Sequence, residues 1–243
     1  LNRTDPPPGT NTELTADNAG NPALKPEVAL GLDLAVERYL ADGGVLSANL
    51  FHRRIADLIR NVVALEDVSW SPGQPRFVSR PQNIGRAWSQ GIELEAKFRL
   101  DQLVGDGPRT EVRANASLFR SKVDAIPGPD NRIAEQPGRT VNLGADHRFR
   151  GTPFTIGANW NHTPGYRTRL DADRAIVQSE KTAVDAFVLW TFNPEAKLRL
   201  SLSNLLAQDS AGTTSVQSGN LLETSRTAAQ THLNAQLRLE LKL

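Results

Sequence analysis

From residue 91 to 100 the chain reads Gly-Ile-Glu-Leu-Glu-Ala-Lys-Phe-Arg-Leu, so apolar Ile92, Leu94, Ala96, Phe98 and Leu100 alternate with charged Glu93, Glu95, Lys97 and Arg99. Strict alternation is the period of a β-strand with one apolar and one wet face. A helix would scatter the four charges round its circumference. The same pattern predicts strands near 28–36, 46–50, 112–118, 141–150, 154–161, 184–192, 198–202 and 233–243. At 184–192 the polar face is mixed, since Phe187 and Leu189 share it with Asp185 and Thr191.

The connections between these strands follow a rhythm. Short turns stand at Asp42-Gly43-Gly44, Gly105-Asp106-Gly107-Pro108, Gly151-Thr152-Pro153 and Asn193-Pro194-Glu195-Ala196. Long, turn-rich connections occupy about 60–80, 125–138, 162–180 and 208–220, and residues 1–26, with Pro6-Pro7-Pro8-Gly9, read as a further loop. Short links on one side and long ones on the other are how outer-membrane barrels are built. Greek-key sandwiches rarely keep so regular an order. Tyr39, Phe149, Phe154, Trp190 and Phe192 lie beside the short turns, where an interfacial girdle belongs, although ordinary sheet aromatics would look the same.

Composition narrows the choice. The formal charge of the 243 residues is +1, with cations and acids interleaved, so nothing points to nucleic acid. There is no cysteine, which excludes disulfides, thiolate metal sites and a cysteine nucleophile. No apolar run approaches the roughly 18 residues of a membrane helix, which leaves a barrel as the way to span a bilayer. The chain opens on Leu1 and holds no methionine, so it is expected to be processed or incomplete. Single-chain bacterial barrels use an even number of strands. About nine strands therefore suggest the C-terminal part of a larger barrel, with 1–26 as an extracellular loop segment and 27–243 as barrel.

Three segments carry a family resemblance. Asn21-Pro22-Ala23-Leu24-Lys25-Pro26-Glu27 resembles the Asn-Pro-x-Leu-Lys-Pro-Glu box of TonB-dependent outer-membrane receptors. Asn83-Ile84-Gly85-Arg86-Ala87, followed by Gly91 to Glu95, is similar to a second family segment, and Leu202-Ser203-Asn204-Leu205-Leu206 to a third in the penultimate strand. The resemblance implies an all-β, antiparallel transmembrane barrel of roughly 22 strands in the outer membrane of a Gram-negative bacterium, its C-terminus periplasmic. It further implies an N-terminal plug domain, engagement of the energy-transducing TonB protein, and uptake of a scarce small molecule such as a ferric siderophore. No cofactor and no enzymatic activity are implied. The family usually ends on Phe or Trp, whereas this chain ends on Leu243. A smaller autonomous outer-membrane pore or adhesin and a soluble all-β binding module remain the alternatives.

Candidate chemistry is sparse. His52, His147, His162 and His232 are far apart, with no metal-ligand spacing, and parity puts His147 on an apolar face. Asp171 and Asp173 share a loop with Arg167, Arg169 and Arg174, too few oxygens at set spacing for calcium. Glu93 and Glu95 lie beside Lys97 and Arg99 on one face, which reads as neutralised wall charge rather than a glycosidase pair. No catalytic constellation and no metal site are expected. Loops on a rigid scaffold carry binding, so Trp70, Tyr166, Arg167 and Arg169 in the long connections are candidate ligand contacts. Arg53 and Asn161, on the wet face near strand tops, join them. Aromatic and guanidinium groups suit an anionic or aromatic chelate, though such residues also serve merely to solubilise loops.

Overall fold

In a computed structural model of the chain, residues 11–40, 43–105 and 107–242 are described. Along them run β1 (Asp17–Asn18), β2 (Val28–Tyr39), β3 (Val45–Ala56), β4 (Ile59–Glu66), β5 (Arg76–Asn83) and β6 (Ala87–Arg99). There follow β7 (Thr110–Val123), β8 (Arg139–Arg148), β9 (Phe154–Thr163), β10 (Tyr166–Arg169) and β11 (Arg174–Gln178). The last are β12 (Lys181–Thr191), β13 (Ala196–Ser203), β14 (Ser210–Ser218), β15 (Leu221–Ala229) and β16 (Asn234–Leu241). No helix among the described residues is long and apolar enough to cross a membrane, which says nothing of a barrel.

Nine of these strands form the wall, in the order β2-β3-β6-β7-β8-β9-β12-β13-β16, each antiparallel to its neighbours. They are the nine predicted from alternation. The sheet is open rather than closed into a barrel. Register keeps the alternation in phase from strand to strand. Leu50, Ile92 and Leu118 share one row, and Ala48, Leu94, Ala116 and Val141 share another. On the opposite face Asn49, Glu93 and Ser117 align, as do Ser47, Glu95, Asn115 and Asn142. A slip of one residue would turn a whole strand over, so the pattern itself pins the pairing.

The apolar face has no second layer among the described residues. Leu94 is 49% exposed, Leu118 55%, Leu143 48% and Leu200 41%, all on strands paired along both edges. A soluble sandwich would pack another sheet there. Three of the five aromatics beside the short turns form a cluster, with Phe154 5.5 Å from Trp190 and Trp190 4.3 Å from Phe192 between ring centres, while Phe149 packs on His147 and Tyr39 stands apart on β2.

Three of the long connections differ from the expected irregular loops, while the one between β7 and β8 holds no strand, as expected. β4 and β5 form a hairpin between β3 and β6, extended by β1, which runs parallel to β5. β10, β11, β14 and β15 build a four-stranded antiparallel sheet from two separate connections. The Pro and Gly signals that read as loop are largely hairpin tips, such as Pro72-Gly73 between β4 and β5 and Gly219 between β14 and β15. The wall strands also run further than expected, β3 to Ala56 and β6 from Ala87. Of the short turns, Gly43 has the positive φ (84°) such a turn requires. Asp42, Asp106, Leu243 and the Pro6-Pro7-Pro8-Gly9 run lie outside the described residues.

If the apolar face meets lipid, Leu94→Arg should lower stability by about 2–4 kcal/mol, with smaller losses for Ile92→Arg and Phe98→Arg nearer the ends of the belt. Glu93→Gln, on the wet face, should be nearly silent. Unfolding midpoints in lipid or detergent read this directly; equal, severe losses at 92, 94 and 98 would mark a buried soluble core instead.

Candidate functional site

On the side of the long connections, the wet face of the wall is covered. Ala87, Ser89 and Val123 lie on that face by parity and are buried, because the connection between β7 and β8 folds across them. Its Asn131 carbonyl accepts from the Val123 N–H at 2.7 Å, its Ile133 N–H donates to Ser121 Oγ at 3.0 Å, and its Gln136 side chain donates to Ser89 Oγ at 3.1 Å. Beneath it Leu58, Ala87, Val123 and Ile126 make a small apolar core flanked by Ile55, Ile84 and Ile133. The loop therefore turns inward over the sheet.

One arginine ties the connections together. The Arg60 guanidinium, on β4, donates to the carbonyls of Arg132 (3.2 Å), Arg169 (3.3 Å) and Leu170 (3.2 Å), which belong to two other connections. Burial lowers its pKa, yet a guanidinium stays charged, so these are charge-assisted bonds. Arg174, on β11, is buried; it pairs with Asp171 at 2.6 Å and reaches the Asn61 carbonyl at 3.4 Å. Arg169 donates to the carbonyls of Pro127 and Gly128 at 3.4 and 3.2 Å. At the other end of β10 Tyr166 has its phenol pushed up by burial, with the Glu135 carboxylate adding to the effect. Arg167 stands more than half exposed, its nearest carboxylate being Asp130 at 4.0 Å.

A second cluster clasps the N-terminal segment. Asp17 is fully buried and takes a bidentate bond from Arg76 at 2.6 and 2.9 Å, while the Trp70 indole N–H donates to it at 3.0 Å. The segment 21–27 is tied to the β4–β5 hairpin as well. Asn21 donates to the Pro81 carbonyl, Glu27 accepts from the Ile59 N–H, and the Asn83 side chain both accepts from the Lys25 N–H and donates to the Lys25 carbonyl. Two of the segments that carried the family resemblance thus hold one another.

Of the six candidate ligand residues, the structure brings together Tyr166, Arg167 and Arg169, all on β10. Trp70 belongs to the Asp17 clasp. Arg53 stands on the β3 wall, 3.4 Å from Asp33, with its guanidinium 5.1 Å from the Phe51 ring centre. Asn161 lies on β9, opposite Asn142 and Ala183. These last three are separate from the β10 cluster and from each other.

Sequence reasoning passed over Arg60, Asp17 and the aromatic plates of the wet face. Phe51, Gly91 and Phe119 share one row across three strands, and the two rings are 6.2 Å apart. A Cβ at Gly91 would come within 2.7 Å of the Phe51 ring, so the glycine makes room for it. Phe187 similarly covers Gly157, and the Arg199 guanidinium sits 3.8 Å from its ring centre. The available signal was a phenylalanine at a polar-parity position facing a mid-strand glycine. No group of His, Asp or Glu among the described residues could hold a metal ion. His52 and His162 stack on Trp88 and Trp160, and His147 bonds Thr110 Oγ1 at 2.8 Å on the apolar-parity face.

Comparisons with known proteins agree with this architecture. The model of the family described as TonB dependent receptor-like, beta-barrel, matches residues 5–205. The Heme/hemopexin utilization protein C of Haemophilus influenzae (strain 86-028NP) is 25% identical over 181 residues, 69% of this chain and 23% of that protein. The pyoverdine outer membrane receptor FpvA of Pseudomonas aeruginosa PAO1, bound to pyoverdine, superposes with a TM-score of 0.62 at 15% identity, over 90% of this chain and 30% of that one. A mutant of the ferric enterobactin receptor PfeA of Pseudomonas aeruginosa gives 0.56 at 15% identity, over 80% and 28%. The chain spans less than a third of the length of each of these proteins.

The Arg60 contacts lead to an expectation for loop order. Arg60→Met should raise amide exchange around 131–133 and 169–171 on the order of tenfold, the equivalent of one lost charged hydrogen bond of about 1.5 kcal/mol. Asp17→Asn, which leaves Arg76 without its carboxylate, should destabilise the clasp by on the order of 3 kcal/mol. Unchanged exchange in Arg60→Met would mean that the three connections hold their places independently.

Proposed function

We propose that this chain, which belongs to the TonB-dependent receptor-like β-barrel family, supplies barrel wall and outer loops to a receptor that imports a scarce chelate, such as a ferric siderophore, by TonB-dependent active uptake. Homologous TonB-dependent receptors are outer-membrane β-barrels, and the family is one of transport receptors rather than enzymes. In this reading the long connections face the outside and the C-terminus is periplasmic. Further strands close the wall towards a barrel of roughly 22, and a plug domain occupies the lumen and engages TonB.

The observation that carries the reading is the inward-folded loop layer. A passive pore needs an open mouth, whereas here Arg60, Gln136 and Ile133 draw the connections across the wet face. Tyr166 and the exposed Arg167 are consecutive on β10 in that layer, so the phenol and the guanidinium open onto opposite faces of the strand. Phenol and guanidinium groups carried by one short strand at the mouth suit an anionic, aromatic-rich chelate. Haem, itself flat, aromatic and carboxylate-bearing, is the second reading, favoured by the likeness to the Heme/hemopexin utilization protein C. Arg53, Asn161 and Trp70 fit the proposal less directly. The first two would line the wall below the mouth, and Trp70 would act through the Asp17 clasp.

A strain lacking the full-length receptor, grown under iron limitation, tests both readings. Growth should be restored by the gene only when TonB is present, and only with the matching iron source, ferric siderophore or haem. Restoration without TonB would overturn active uptake, and failure with every iron chelate and haem would overturn the ligand class. Replacing Tyr166 by Phe and Arg167 by Gln together should weaken binding of the anionic ligand by about tenfold. For orientation, protease added to intact cells should cut at the exposed tips near Pro72-Gly73 and Gly219-Asn220 and spare Gly43-Gly44 and Asn193 to Ala196. Cutting at the short turns would reverse the orientation.

A further inference from the structure

The apolar belt changes character towards the long connections. On the same face, the row Leu50–Ile92–Leu118 gives way to His52–Gln90–Arg120, and that to Arg54–Trp88–Lys122. Arg139, opposite Leu118 on β8, adds a fourth cation. Arg54, Arg120, Lys122 and Arg139 are all exposed. Two acids border them: Asp124 meets Lys122 at 3.8 Å with both side chains about half exposed, a contact of little strength, and Asp130, near Arg120 and Lys122, lies 4.0 Å from Arg167.

The surface there is also shaped. Two adjoining depressions of about 400 and 370 Å³ run up the face, sharing His52 and Gln90. The lower is bounded by Leu50, Ile92, Leu118 and Arg120, the upper by Arg54 and Trp88. One end of the groove is therefore hydrocarbon and the other cationic. It lies on β3, β6, β7 and β8, each already paired along both edges, so strands added beyond β2 or β16 would not cover it.

We propose that this groove binds a phosphorylated lipid of the surrounding outer leaflet. An acyl chain lies along Leu50, Ile92 and Leu118, and the phosphate is held by Arg120, Lys122 and Arg54. Charge complementarity carries the choice of occupant: Arg54, Arg120, Lys122 and Arg139 outnumber the bordering acids Asp124 and Asp130 at the edge of an apolar belt, which matches an anionic headgroup whose tail enters the same belt. Guanidinium forks suit phosphate oxygens, and the Trp88 indole occupies the depth where tryptophan favours a membrane interface. The inference rests on the outer-membrane orientation proposed above.

Native mass spectrometry of the full-length receptor tests it, with bisphosphorylated lipid A and the same lipid stripped of its phosphates as probes. Wild type should retain the phosphorylated probe and not the stripped one. Each cation near an anionic lipid is worth about fivefold, so Arg54→Gln, Arg120→Gln and Lys122→Gln combined should weaken retention on the order of a hundredfold. Arg226→Gln, on the loop hairpin, should leave it unchanged. Should the triple variant fail to fold, Arg120→Gln by itself should show its fivefold loss. Retention within about twofold of wild type in the folded triple variant, or equal retention of the stripped lipid, would overturn the site. Reconstitution into lipid nanodiscs separates the two readings. A wild type that inserts but shows no preference for phosphate loses only this site, whereas one that does not insert loses the membrane reading as well.

Discussion

Everything in this molecule hangs on the backbone ladder of the nine-stranded wall. A strand in hydrocarbon has no water to satisfy its N–H and C=O groups, so each must find a neighbouring strand. The antiparallel register from β2 to β16 meets that demand for the seven inner strands, while β2 and β16 are each paired along one edge among the described residues. The same ladder sorts the side chains. With a period of two and an in-phase register, the middle of the wall sends its leucines and isoleucines to one face and most of its charges to the other. The exposed leucines of the inner strands are the consequence of a sheet whose second layer is solvent of another kind.

The ladder leaves the connections to find their own partners, and they do so with charges and asparagines rather than with a large core. The mouth core is small, Leu58, Ala87, Val123 and Ile126 with a few flanking isoleucines. What holds the layer is a set of side chains aimed at main-chain groups. Arg60 spans three carbonyls, Asn83 grips both polar groups of Lys25, and Asn204 takes a left-handed φ of 56° while its N–H donates to Asp185. Such bonds fix loop geometry without demanding bulk. Asn21, Asn83 and Asn204 are also the asparagines of the three recognised segments. Those segments read as corner-pieces that set how wall strands hand over to loops, not as ligand contacts themselves.

The wet face is less uniformly polar than its charges suggest. Phe51 and Phe119 flank Gly91, and Phe187 lies over Gly157 with Arg199 against its ring. A ring laid over a glycine shields backbone that would otherwise be bare, and it stiffens the sheet where a side chain is missing.

Alternation by itself determined the nine wall strands, their two faces, and the sides on which short and long connections lie, because a period of two is written locally and one strand's phase constrains the next. The motif at 21–27 and its two companions identified the family for the same reason: short-range spacing survives in a linear string. The secondary strands β4, β5, β10, β11, β14 and β15 were not legible, since their sequences are short, mixed in polarity and dense in turn residues. Their pairing, β11 with β14 above all, joins connections more than thirty residues apart. The site shows the same division. That Tyr166, Arg167 and Arg169 belong together follows from their adjacency. That Trp70 is committed to Asp17, and that Arg60 closes the layer, was decided by tertiary structure, because those partners lie 53 to 110 positions away and only the folded sheet brings them within hydrogen-bond reach.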